Sequence, residues 1–296
     1  MTAGGEPSVR RQVPAEALFM GAGLSQHLGS AVAVGLFAHL PATTVAWWRL
    51  PVSAVVLLVW RKPWRVRWTG RMLAASSLFG TILGGMNLLF YTAIDHLALG
   101  TAISLEYLGP VAVAVTGART ARTRLAVVPA LLGVVSISGI GLDWSRPGTG
   151  TGVLFAVLSG AAWAAYIVLG RRIATNRDGL TSLAVGSTVG SVVLLPLVAP
   201  TAALAFASPG ILLGVLAVGV LSSLVPYAVD QVALTRLSAG RFALLTALLP
   251  ATSLVVGLVL LAQVPSVGEA VGLALISVAV LLANREGTTR GRAEGA

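Results

Sequence analysis

The chain has no cysteine, a single lysine (Lys62) and only ten acidic residues in 296, and each scarcity excludes something. Without cysteine there is no disulfide framework, no thiolate nucleophile and no cysteine-ligated metal. The lone lysine follows no glycine-rich run, so there is no P-loop and ATP is not the driving force. Charged residues make up 10% of the chain, against about a quarter in average soluble proteins. So few charges do not cover the surface of a water-soluble domain of this length. No H-E-x-x-H, no paired histidines and no carboxylate cluster suggest a hydrolytic metal, so no metal or cofactor is expected and the chain does not read as an enzyme.

What is present is apolar: 56% of the residues are hydrophobic and 34 more are glycine. That excludes disorder and makes lipid the main solvent. A membrane helix needs about 20 mostly apolar residues to cross a core of roughly 30 Å. Apolar runs between charge clusters fall at 15–36, 41–60, 72–93, 98–117, 125–142, 152–170, 180–198, 210–230, 239–261 and 267–284. None shows the polar–apolar alternation of a membrane β-barrel strand. No small-residue cleavage site follows the first run, so the first span is expected to be retained. The expected fold is an all-α polytopic membrane protein with ten transmembrane helices.

The net charge of +10 is a topology signal, helped by anionic lipid, rather than a nucleic-acid patch. Arg10 and Arg11 lie in the N-tail, and Arg61, Lys62, Arg65, Arg67 and Arg71 follow the second span. Arg119, Arg122 and Arg124 follow the fourth, Arg171, Arg172 and Arg177 the sixth, and Arg236 and Arg241 the eighth. Arg285, Arg290 and Arg292 close the list in the C-tail, and the opposite loops hold only Arg146. The positive-inside rule puts both termini in the cytoplasm, which requires an even number of spans.

The segment LALGTAISLEYLGP at Leu97–Pro110 recurs as LSAGRFALLTALLP at Leu237–Pro250, aligning Gly100 with Gly240 and Pro110 with Pro250. The expected units are a cytoplasmic tail at 1–14, one five-helix repeat at 15–145, a second at 149–285, and a C-tail at 286–296. Five is odd, so the second repeat must enter the membrane upside-down relative to the first. Inverted repeats of this kind are the architecture of alternating-access transporters, with a site at the midplane.

Three ionisable residues lie deep in the spans. Glu106, Arg49 and His27 each sit about eight or nine residues from the outer end, roughly 12–14 Å down at 1.5 Å per residue. A charge there must be paired, hydrated or neutral. Two readings stand for the first two. Either Arg49 helps hold a substrate carboxylate while Glu106 binds a substrate amine or a proton, or the two form an ion pair that fixes helix packing. His27 is either a proton relay or a neutral histidine hydrogen-bonded between helices. Asn87, Tyr107, Trp163 and Tyr166 join this level, with Trp163 and Tyr166 on one helix face. Tyr91 and Tyr227, near expected helix ends, read as interfacial. Pro110 and Pro250, in corresponding mid-helix positions, are expected hinges.

The runs ISLEYLGPVAVAV (103–115), SGAAWAAYIVLGRR (159–172) and LVPYAVDQVALTRL (224–237) resemble the EamA-type members of the drug/metabolite transporter superfamily. More narrowly, they are similar to its threonine/homoserine exporter branch, over nearly all of 15–285. The resemblance implies an inner-membrane exporter of small amino acids or related amphiphilic metabolites, exchanging them for protons. It maps the family's helix-two arginine to Arg49, its helix-four glutamate to Glu106, and its helix-six aromatics to Trp163 and Tyr166. The chain departs from the pattern at Leu249-Pro250, where members often carry Glu-Pro, and at Gln263, where a glutamate is usual. Asp230 is then the second half's one expected acidic counterpart to Glu106. The alternatives are an exporter of nucleosides or drugs on the same fold, and a membrane receptor or scaffold that transports nothing.

Overall fold

The computed structural model describes residues 15–116, 121–125, 127–136, 142–176, 178–236 and 256–284. Among them the chain is all-helical, with no strand. In order come α1 (Ala15–Leu36), α2 (Ala42–Arg61), α3 (Gly70–His96), α4 (Leu99–Glu106), α5 (Leu108–Thr116), the single turn α6 (Ala121–Arg124) and α7 (Val127–Ser136). Then follow α8 (Thr149–Asn176), α9 (Gly179–Ala202), α10 (Pro209–Gly219), a π-helical stretch (Val220–Leu224), α11 (Val225–Arg236) and α12 (Val267–Asn284). Five described stretches are long and apolar enough to cross a membrane: Ala42–Arg61, Gly70–His96, Thr149–Thr175, Gly179–Phe206 and Pro209–Ala233. Shorter apolar helices run through Leu99–Val113, Val127–Ser136 and Val267–Ala279. The expected ninth span lies largely outside the described residues.

Apolar side chains fill the core and also cover the outer face. Val55, Val59, Val192, Leu197 and Leu213 face outward. Ser53, Ser76, Asn87, Ser104, Ser159, Ser187 and Gln231 are buried between helices. Lipid asks nothing polar of the outer face, so polar groups find their partners inside. At the core, α3 packs on α8 and α9, and α2 packs on α9.

Close crossings need glycine. A Cβ on Gly80 of α3 would lie 1.8 Å from the Gly186 carbonyl oxygen of α9, so these two helices meet backbone to backbone. Gly80→Ala is expected to lower stability by about 1–3 kcal/mol through overpacking. The measurement is the unfolding midpoint in detergent; an unchanged midpoint would mean that the helices part at no cost.

The expected fourth span, 98–117, is divided. α4 stops at Glu106, Tyr107 leaves the regular pattern, and α5 resumes at Leu108. Pro110 is the physical cause, since it has no N–H for the Glu106 carbonyl four residues back and its ring crowds that carbonyl. Gly160 of α8 fits beside the same group, where a Cβ would come within 2.5 Å of the Glu106 carbonyl oxygen.

The helix ends are tied by polar contacts. Asp178 caps α9 by accepting the Leu180 N–H at 3.1 Å and the Thr181 N–H at 3.5 Å. Its second oxygen takes the Thr181 hydroxyl at 2.5 Å and the Arg61 guanidinium from the end of α2. Partial burial raises the Asp178 pKa, but the Thr181 hydroxyl and Arg61 outweigh it and hold the carboxyl below the usual aspartate value.

Candidate functional site

α1, α3, α4 and α8 border a small pocket, with room for about one water, lined by Gln26, His27, Ser30, Glu106, Tyr107 and Trp163, with Phe90 and Ile103 on its apolar side. Four sequence-predicted site residues, His27, Glu106, Tyr107 and Trp163, are thus brought together. The Tyr107 and Trp163 rings meet edge-on at 4.8 Å and form one wall. The Ser159 hydroxyl lies 2.5 Å from Glu106 Oε1 and 3.1 Å from the Met86 carbonyl oxygen. One hydroxyl proton faces two acceptors, so the geometry accommodates two arrangements. Either Ser159 donates to a charged Glu106, or a protonated Glu106 donates to Ser159, which donates onward to Met86.

Arg49 is almost fully buried on α2 and is held by the second half of the chain. Its Nε donates to Ser223 Oγ at 2.7 Å, and its Nη2 donates to the Ser222 carbonyl and lies 3.4 Å from the Tyr227 hydroxyl. The guanidinium carbon stands 4.7 Å from the Tyr91 ring centre. Pro226 explains the carbonyl's availability: having no N–H, it cannot serve Ser222 four residues back. Equal depth had made an Arg49–Glu106 pair a fair expectation, yet among the described residues no carboxylate lies within 4.0 Å of Arg49. The guanidinium is engaged instead by serines and aromatic faces.

Asn87 and Tyr166 belong to the network around Arg49. The Tyr227 hydroxyl donates to Asn87 Oδ1 at 2.8 Å, leaving the buried Asn87 Nδ2 with no hydrogen-bond partner. The Tyr166 hydroxyl points at Asp230 Oδ2, 3.5 Å away, and accepts from Gln231 Nε2 at 3.4 Å. Its ring stacks on Phe79 at 5.0 Å. This network adjoins the pocket through Ser222, whose hydroxyl donates to the carbonyl of pocket residue Gln26 at 3.2 Å. Pro110 stands just beyond Glu106, at the break already described; Pro250 lies outside the described residues.

Tyr91 and Tyr227 are corrections. Expected at the membrane interface, they are 0% and 5% exposed and flank Arg49. The expected end of the eighth span fell too early, because the helix runs on from Pro209 through α11. A readable signal was there: Ser223, Tyr227 and Gln231 recur four residues apart, a polar stripe on an apolar helix. Ser159, on the face of α8 that carries Trp163, also escaped notice. So did Glu269, a further acidic residue in the latter half besides Asp178 and Asp230. Its Oε2 accepts the Ser266 N–H at 2.8 Å in a capping box, while Oε1 takes the Thr101 hydroxyl from α4. With Thr101, Ser104 and Gln263 it lines another small pocket, where Gln263 Oε1 accepts the Leu99 N–H at 3.0 Å.

Comparison with known proteins gives concordant likenesses. Residues 150–285 match the EamA-like transporter family. The chain is 34% identical to the threonine/homoserine exporter RhtA of Salmonella typhimurium (strain SL1344) over 261 residues, 88% of this chain and 86% of the relative. Against RhtA of Escherichia coli (strain K12) the identity is 35% over 235 residues, 79% of each chain. A protein of known crystal structure, 18% identical, superposes with a TM-score of 0.63 over 92% of this chain and 98% of its own, a likeness of fold.

Proposed function

The chain belongs to the EamA-like transporter family, and on that premise we propose that it is a secondary active exporter of small amino acids, threonine and homoserine foremost. It resides in the inner membrane as ten spans, in two inverted five-helix repeats at 15–145 and 149–285, with both termini cytoplasmic. Its relatives are named as exporters, not enzymes.

The observation that carries this reading is the separation of two buried ionic groups. Arg49 has no carboxylate beside it among the described residues, and Glu106 opens onto a pocket with Ser159 as its hydrogen-bonding side chain. An unneutralised charge inside a membrane costs several kcal/mol. A zwitterion offsets that cost at both ends, its carboxylate toward Arg49 and its ammonium toward Glu106. The two halves rock to expose the pocket alternately to either side; protonation of Glu106 from outside releases the amine and resets the carrier. The pocket reaching Glu106 weighs against a non-transporting scaffold.

Purified protein in liposomes loaded with labelled threonine is expected to give saturable efflux that excess homoserine inhibits. If a purine nucleoside inhibits and homoserine does not, the exported metabolite belongs to another class and the amino-acid reading fails.

A further inference from the structure

Between α2 and α3 the chain forms a cationic loop that the transport reading does not use. It begins at Lys62, whose backbone turns left-handed (φ 48°) and closes α2 with an N–H bond to the Leu58 carbonyl at 2.9 Å. One turn of 3-10 helix follows at Pro63–Arg65, and the Trp68 indole N–H donates back to the Pro63 carbonyl at 2.9 Å. The loop is therefore folded on itself. Arg61 is engaged by Asp178, but Lys62, Arg65, Arg67 and Arg71 are exposed, and none is within 4.0 Å of a carboxylate among the described residues. Arg71 stands in the first turn of α3, which holds no acidic residue, so the helix dipole adds to the positive field there.

We propose that this loop is a binding site for an anionic phospholipid, its phosphate held among Lys62, Arg65, Arg67 and Arg71 and its acyl chains laid along α2. The apolar part of the surface selects lipid over a soluble anion. Trp60 and Trp64 are exposed beside the cations, and Val55, Val56 and Val59 continue the exposed strip along α2. A headgroup with tails matches that arrangement, cations at phosphate level and tryptophans at the boundary of the hydrocarbon. A free phosphate leaves the strip unmatched. The site rests on the loop's own geometry and stands whether or not the exported substrate is an amino acid.

The test is native mass spectrometry of the full-length, delipidated protein offered equal amounts of phosphatidylglycerol and phosphatidylcholine. The wild type is expected to retain phosphatidylglycerol selectively, even with millimolar inorganic phosphate. The R65Q/R67Q variant is expected to lose that preference about fivefold or more. R171Q/R172Q, which removes two charges from the last turns of α8, is expected to keep it. If R65Q/R67Q is not monodisperse, R67Q alone carries the test, with a smaller loss in the same direction. Equal retention of both lipids by the wild type, an unchanged preference in R65Q/R67Q, displacement by phosphate, or the same loss in both double variants would each overturn the assignment.

Discussion

Replacing Arg49 with alanine is expected to cut threonine export about 100-fold, the scale of removing one partner from a buried charge-assisted contact. Export of threoninamide, which lacks the carboxylate, is expected to stay at its wild-type level. Comparing the two substrates is what gives the experiment its meaning, because Arg49 also holds structure. Its removal strips the Ser222 carbonyl and Ser223 hydroxyl of their guanidinium donor and uncovers the Tyr91 ring. A loss caused by loosened packing falls equally on both substrates, and that result would sink the carboxylate role. Arg49→Lys keeps the charge but not the planar fork that reaches Ser222 and Ser223 together, so an intermediate loss of about tenfold is expected.

Glu106→Gln is expected to abolish the acceleration of export by an inward proton gradient, with efflux in the presence and absence of the gradient converging. The amide has the carboxyl's shape and still accepts from Ser159, so packing around α4 and α8 is retained. What it lacks is a proton to exchange. Liposome efflux with and without an imposed gradient measures this directly. A variant that keeps the full wild-type response would place the coupling proton elsewhere, Asp230 being the next carboxylate to examine.

The helical nature of the chain was legible because long apolar runs between arginine clusters have few other solutions, and the five described stretches long enough to cross a membrane fall on expected runs. α1 and α12 fall where the runs predict them. The grouping of His27, Glu106, Tyr107 and Trp163 was legible too, through depth counting along the helices. Depth alone says nothing about azimuth, however. Arg49 and Glu106 share a level yet turn to different partners, one to Ser222 and Ser223, the other to Ser159. Tyr227 was misplaced for a related reason. The stretch from Val220 to Leu224 is π-helical, and the helix runs on to Arg236, past the expected end at 230. The carbonyls freed by Pro110 and Pro226 were half legible: the missing N–H follows from the residue type, but what occupies the freed carbonyl does not.

Leu50, next in sequence to Arg49, is seated against bare backbone. Its Cδ1 would be 2.6 Å from a Cβ on Gly84 and 3.5 Å from one on Gly190. A methyl group added at Gly84 therefore wedges against the neighbour of the buried cation, while one at Gly190 meets the Gly80 carbonyl oxygen first, 2.6 Å away. On the role proposed for Arg49, a substitution at Gly84 is expected to alter the grip on cargo from a position that the cargo never touches.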